Sequence, residues 1–237
     1  MIRRILIVAV LVLGIVMSLA PGAQAGAVKR RGGPFHVFTS FKGGVYLPRA
    51  DSNNPGTQDI KDIYGKADYL LSMRVGVVAD DGTFGVRGSW TIPGTLALSV
   101  EGSFYRASGS DINSPTTDLV LYMVPVTVGL EYGFRYSEEQ LLVPYVGVGY
   151  GGVYFRETLR GPINQKLDGG RFGWSAEAGL RILLDSFDRA AERSFQHSVG
   201  VTNTFVDFRM RYQSINGFDT GFDFTGLAFD GGLTVEF

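Results

Sequence analysis

The chain has 237 residues, 33 of them glycine, with no cysteine and a formal net charge of −1. The absence of cysteine excludes a disulfide framework, a thiolate metal site and a cysteine nucleophile. The near-neutral balance gives no footprint for nucleic acid, and an aromatic share of 13% is too high for a disordered chain. Charged residues make up 19%, below the ~25% of an average soluble domain, and 17 arginines stand against 5 lysines, an odd ratio for a surface in water.

Residues 1–25 predict a secretory signal peptide. Arg3 and Arg4 precede an uncharged apolar run from Ile5 to Ala20, and Pro21-Gly22 and Ala23-Gln24-Ala25 follow as a break and a cleavage site. The run falls short of the ~20 residues that a membrane-spanning helix needs. Residues 26–34 form a short tail with the basic cluster Lys29-Arg30-Arg31.

From Phe35 onward the chain alternates with period 2, the pattern of strands with two unlike faces. In Phe35 to Leu47, Lys42 and Tyr46 oppose Phe41 and Val45. Between Tyr69 and Ile92 the phase changes around Asp80-Asp81-Gly82, which reads as a bulge within one long strand or as a hairpin. In Thr95 to Arg106, Leu96, Leu98, Val100 and Phe104 oppose Ser99, Glu101 and Ser103. The clearest segment is Val120 to Tyr136, whose even positions are all apolar or aromatic. Leu142 to Arg156, Arg171 to Leu184, Phe205 to Tyr212 and Thr225 to Phe237 repeat the pattern. Tight connections are expected at Pro93-Gly94 and residues 137–140, and long loops at 49–68, 107–118, 157–170 and 213–224. Asp185 to Ser194 is a charged connection on the short-turn side.

The alternation predicts an all-β, closed antiparallel barrel. A hairpin near Asp80 would give nine strands, and the even count of bacterial outer-membrane barrels selects the bulged reading and eight. Ten strands remain an alternative if a hairpin hides in residues 49–66. Alternation alone does not say which face meets solvent, so a soluble secreted carrier of the lipocalin type is the rival. The polar face is mostly Gly, Ser, Thr and Ala with only one or two charges per strand, unlike a solvated surface. Aromatics gather near strand ends: Tyr132, Phe134, Tyr136 and Tyr145 at one end, and Tyr122, Tyr154, Phe155, Phe172, Trp174 and Tyr212 at the other. Such girdles mark the two membrane interfaces.

Phe229, Leu233, Val235 and Phe237 resemble the C-terminal signature that bacterial outer-membrane proteins present to their assembly machinery. With the leader and the alternation, the whole mature chain resembles the small eight-stranded barrels of the OmpA, OmpX and OmpW type, with the barrel itself at 35–237. That resemblance implies a monomeric Gram-negative outer-membrane protein embedded in lipid and lipopolysaccharide. It also implies delivery by periplasmic chaperones and the barrel-assembly machinery, no cofactor, and no nucleic-acid partner.

With the apolar face toward lipid, the lumen receives Lys42, Arg74, Arg87, Arg135, Arg181, Arg209 and Arg211. It also receives Glu101, Glu131, Glu177, Asp207, Asp230 and Glu236. Buried charges persist only when paired and hydrogen-bonded, and the planar fork of arginine suits this better than lysine. An eight-stranded barrel is just wide enough for side chains to fill. The expectation is therefore a salt-bridged plug in a non-enzymatic envelope or surface-binding protein. A narrow solute channel is the alternative, and a lipid-modifying enzyme comes third. The histidines, His36 and His197, begin strands at the periplasmic end, away from outer-leaflet chemistry, and His197-Ser198 point to opposite faces. No metal motif stands out, and Gly147-x-Gly149-x-Gly151-Gly152 lacks the helix a phosphate loop requires.

Overall fold

The structure, a computed structural model, describes residues 35–48, 68–80, 94–111, 114–135, 140–160, 165–185, 200–215 and 224–237. Eight strands follow one another: β1 (Phe35–Pro48), β2 (Asp68–Asp80), β3 (Thr95–Asp111), β4 (Ser114–Gly133), β5 (Leu142–Arg160), β6 (Gln165–Leu183), β7 (Asn203–Ser214) and β8 (Gly226–Glu236). Each pairs antiparallel with the next, and β1 pairs with β8 to close the barrel. Closure gives the strands backbone partners on both sides, the condition for crossing lipid with β-structure. The leader, the tail and His197 lie outside the described residues.

The period-2 pattern sorts the two faces. Even positions of β1, β2 and β8 and odd positions of β3 to β7 point inward. Phe41, Leu71, Leu98, Phe104, Leu130, Val148, Phe172 and Leu233 point out and are exposed. On β4 the outward apolar positions begin at Val120, and the tyrosine-to-tyrosine stretch runs from Tyr122 to Tyr132. Ten residues at about 3.3 Å each, tilted by about 40°, cover about 25 Å, the height of the apolar band of such barrels. Tyr122 and Tyr132 therefore mark its two rims. Tyr145 and Phe155 do not join the aromatic girdles. Both occupy odd positions of β5 and are buried inside, because strand parity decides orientation and nearness to a strand end does not.

The connections differ from the sequence expectation in two places. Asp80 pairs with Thr95, whereas a turn at Pro93-Gly94 would place Ile92 opposite Thr95. The observed register sets Arg74 directly across from Glu101 and so aligns two buried opposite charges. Residues 81–93, with the bulge expected at Asp80-Asp81-Gly82, lie outside the described residues. At the other end, β3 reaches Asp111 and β4 starts at Ser114, while β5 reaches Arg160 and β6 starts at Gln165. Most of the loops expected at 107–118 and 157–170 is therefore strand. Their Gly, Ser and Asp residues resemble turns in composition, but adjacent strands supply ladder partners for their backbones. As a result β3 to β6 contain 17, 20, 19 and 19 residues, against 14, 13, 12 and 11 for β1, β2, β7 and β8. One half of the wall stands taller at the end opposite the chain terminus.

Candidate functional site

The lumen is built in three tiers. In the middle tier ten charged side chains form one connected network. Lys42 contacts Asp207 at 2.7 Å, and Asp207 accepts from Arg181 at 3.3 Å. Arg181 reaches Glu131 at 2.6 Å, and Glu131 accepts from Arg74 at 3.0 Å. Arg74 also holds Glu101 at 2.8 Å and Glu177 at 2.6 Å. Arg209 bridges Glu101, Glu177 and Asp230, the last at 2.6 Å. Arg211 completes the set on Glu101 at 2.5 Å. Lys42, Arg74, Arg181, Arg209 and Arg211 are thus matched one for one by Glu101, Glu131, Glu177, Asp207 and Asp230. The carboxylates accept several hydrogen bonds each, which offsets the loss of hydration at these depths.

Tyr145 belongs to this tier although the sequence reading placed it at the membrane rim. Its hydroxyl donates to Asp207 at 2.7 Å and accepts from Lys42 at 3.2 Å. Its ring lies 4.6 Å from the Arg181 guanidinium carbon, a favourable cation–π position. The odd parity of β5 is the signal that finds it. Nearer the chain terminus, Arg135 pairs separately with Glu236 at 3.1 Å. Arg87 lies outside the described residues.

Room for the network comes from the opposite wall. The long cationic chains rise from β1, β2, β6 and β7, while β4 and β5 present Thr127, Gly129, Gly147, Gly149 and Gly151. A Cβ at Gly147 would lie 3.0 Å from the Glu177 carboxylate, and one at Gly149 would lie 2.7 Å from Thr127 and 2.8 Å from Ser175. The glycine run is thus a space device. A cavity of about 10 Å³ remains between Arg74, Ser99, Thr127, Ser175 and Arg211, room for about one water. Arg211 Nε has no hydrogen-bond partner among the described residues.

Apolar tiers lie on both sides of the charges. Toward the tall end, Tyr46, Leu70, Tyr105, Leu121, Met123, Val153, Phe155 and Phe224 pack into a buried cluster. Tyr46 donates to the Phe224 carbonyl at 2.7 Å and pins the end of the β7–β8 connection into the mouth. Toward the chain terminus Phe38, Val78 and Ala97 form one cluster, and Val143, Leu183 and Phe205 another. The sequence reading gave the inward face as charged and small and missed these apolar layers. In β4 they are legible as Leu119, Leu121 and Met123, the odd positions where alternation breaks down. His36 sits at the terminus end of β1, opposite Val78. No group of His, Cys, Asp and Glu able to hold a metal ion occurs among the described residues.

Phe229 and Leu233 on β8, and Phe237 just after it, point outward and are exposed. The Phe237 amide donates to the Val37 carbonyl at 2.8 Å and ends the closing ladder. The outer membrane protein beta-barrel domain matches residues 7–237 of the chain. The protein belongs to that family. It is therefore an outer-membrane barrel, which assigns lipid to the apolar face. No curated protein matches it. Among solved structures it is similar to the attachment invasion locus protein Ail of Yersinia pestis, at 11% identity over 86% of this chain and 97% of that one, TM-score 0.43. It is also similar to Neisserial surface protein A, at 14% identity over 87% and 100%, TM-score 0.43. OprG of Pseudomonas aeruginosa aligns at 13% identity over 86% and 95%, TM-score 0.47.

Proposed function

We propose that this outer-membrane barrel is a non-conducting, non-enzymatic envelope protein whose interior serves stability and whose role lies on its outer surface. The observation that carries this reading is the filled lumen: a charge-balanced network closed above and below by apolar clusters. A pore needs a continuous wet path, and both apolar tiers oppose one. The lumen residues act here as a structural plug. The exposed Phe229, Leu233 and Phe237, with Val235, serve as the signal read by the assembly machinery after periplasmic chaperones deliver the chain. The barrel works as a monomer in contact with lipopolysaccharide.

Reconstitution in planar bilayers tests the plug. The expected result is no stable conductance. A reproducible, ion-selective conductance that shifts on Arg135→Ala would replace the plug with a narrow channel. Mass spectrometry of lipid A with and without expression of the protein tests the absence of enzymatic action, and an acyl change lost on His36→Ala would overturn it.

A further inference from the structure

The outward face of the tall half-wall carries cations near the end of the apolar ladder, whose last β4 member, Val120, lies one row beyond Tyr122. Tyr122, the rim residue of β4, has Arg106 of β3 and Arg156 of β5 as its two register partners. The Arg106 guanidinium carbon lies 5.8 Å from the Tyr122 ring centre. Arg156 donates to the Tyr154 hydroxyl at 3.3 Å. Lys166 stands opposite Thr158, one outward row further from the membrane. Two acids share this face: Asp168, the register partner of Arg156, and Asp118, two outward rows beyond Tyr122. Among the described residues none of the three cations has a carboxylate within ion-pair distance. With Asp168 and Asp118 included, the five named groups carry a surplus of one positive charge. Below it lie Phe104, Val124 and Tyr154, which face the acyl region.

This placement differs in kind from the interior, where each cation is matched by a carboxylate. Phe35 and Phe237, the first and last described residues, lie at the other end of the barrel, the periplasmic end in this class. The patch therefore stands at the outer-leaflet headgroup level. It faces sideways from the wall, toward neighbouring lipid and not toward the medium above the loops. Two guanidiniums two strand spacings apart, about 10 Å, can each grip an anionic oxygen pair bidentately. Tyr122 between them fits the amphipathic rim.

We propose that Arg106, Arg156 and Lys166 form a binding site for the phosphate groups of a phosphorylated outer-leaflet lipid, with the acyl chains lying against Phe104, Val124 and Tyr154. The site is independent of whether the lumen conducts. Its test is native mass spectrometry of the detergent-solubilised full chain titrated with diphosphorylated lipid A, dephosphorylated lipid A, inorganic phosphate or a heparin oligosaccharide. Wild type should retain diphosphorylated lipid A and lose it on dephosphorylation. The Arg106→Gln/Arg156→Gln variant, checked for heat-modifiable migration, should bind it about thirty-fold more weakly. Arg106→Lys/Arg156→Lys should keep part of the affinity. Equal retention of the two lipid forms by wild type would overturn the proposal, and that arm needs no variant to fold. Equal binding by wild type and a folded Gln variant would overturn it too, as would a stronger response of wild type to heparin than to lipid A.

Discussion

Replacing Arg209 with methionine removes one cation from a balanced set of ten charges and keeps most of the side-chain volume. Glu101 retains Arg74 and Arg211, and Glu177 retains Arg74. Asp230 is different: it is 6% exposed, and Arg209 is its ion-pair partner, through two guanidinium nitrogens at 2.9 and 2.6 Å. The variant therefore leaves one buried carboxylate without its cation. Removing one member of a buried pair costs about 3–5 kcal/mol, most of it the uncompensated charge. If so, adding Asp230→Asn should restore neutrality. The double variant should then be more stable than Arg209→Met by about 1–3 kcal/mol, although it has fewer polar contacts. Urea unfolding of refolded protein in phospholipid vesicles would measure this, read by tryptophan emission, to which Trp174 on the lipid face contributes, and analysed by linear extrapolation. Two results would refute the reasoning. One is a cost of Arg209→Met under about 1 kcal/mol, the value of a solvated pair. The other is a double variant no more stable than the single one. Either result would mean that water already reaches these charges, and the plug would be lost with the pairing.

Three further outcomes follow from the same geometry. A Cβ at Gly151 would lie 2.1 Å from the Val126 carbonyl oxygen, whereas one at Gly102 meets nothing within 4 Å. Gly151→Ala should lower the unfolding free energy by about 1–3 kcal/mol and Gly102→Ala should leave it nearly unchanged in the same urea assay. Tyr46→Phe removes the hydrogen bond to the Phe224 carbonyl and should cost about 1 kcal/mol. Phe237→Ala removes an exposed outward side chain from the last strand and should slow assembly in cells, seen as delayed heat-modifiable migration. Its unfolding midpoint after refolding should stay close to that of the wild type.

Strand number, antiparallel order and face assignment were legible because lipid and lumen impose opposite demands on alternate residues. The nine even positions from Val120 to Tyr136 record that directly. Strand ends were not legible. Ser108-Gly109-Ser110 and Asp168-Gly169-Gly170 have turn chemistry, yet they pair with Val120-Leu119-Asp118 and with Arg156-Phe155-Tyr154. Composition reports local preference, and a ladder partner from a distant part of the chain outweighs it. The register of β2 on β3 was not legible for the same reason: Pro93-Gly94 reads locally as a tight turn, but Asp80 pairs with Thr95, which brings Arg74 across from Glu101.

The missed apolar tiers bear on how ten charges can sit together inside a barrel. A network of ten charges open to water at both ends would gain little from pairing, since each ion pair would be screened. Closed by Phe38 and Phe205 on one side and Leu121, Met123 and Phe224 on the other, the same pairs sit at low dielectric, where breaking one is costly. The cost of the charges and the need for the seals are thus coupled. Opening the seal should weaken the effect of Arg209→Met, because water would then hydrate Asp230. The rigidity of the middle tier is a property of the layers above and below it as much as of its own contacts. That arrangement also separates the tasks of the two charge populations. The balanced interior fixes the wall, and the unbalanced cations outside, at Arg106, Arg156 and Lys166, are left to meet the membrane.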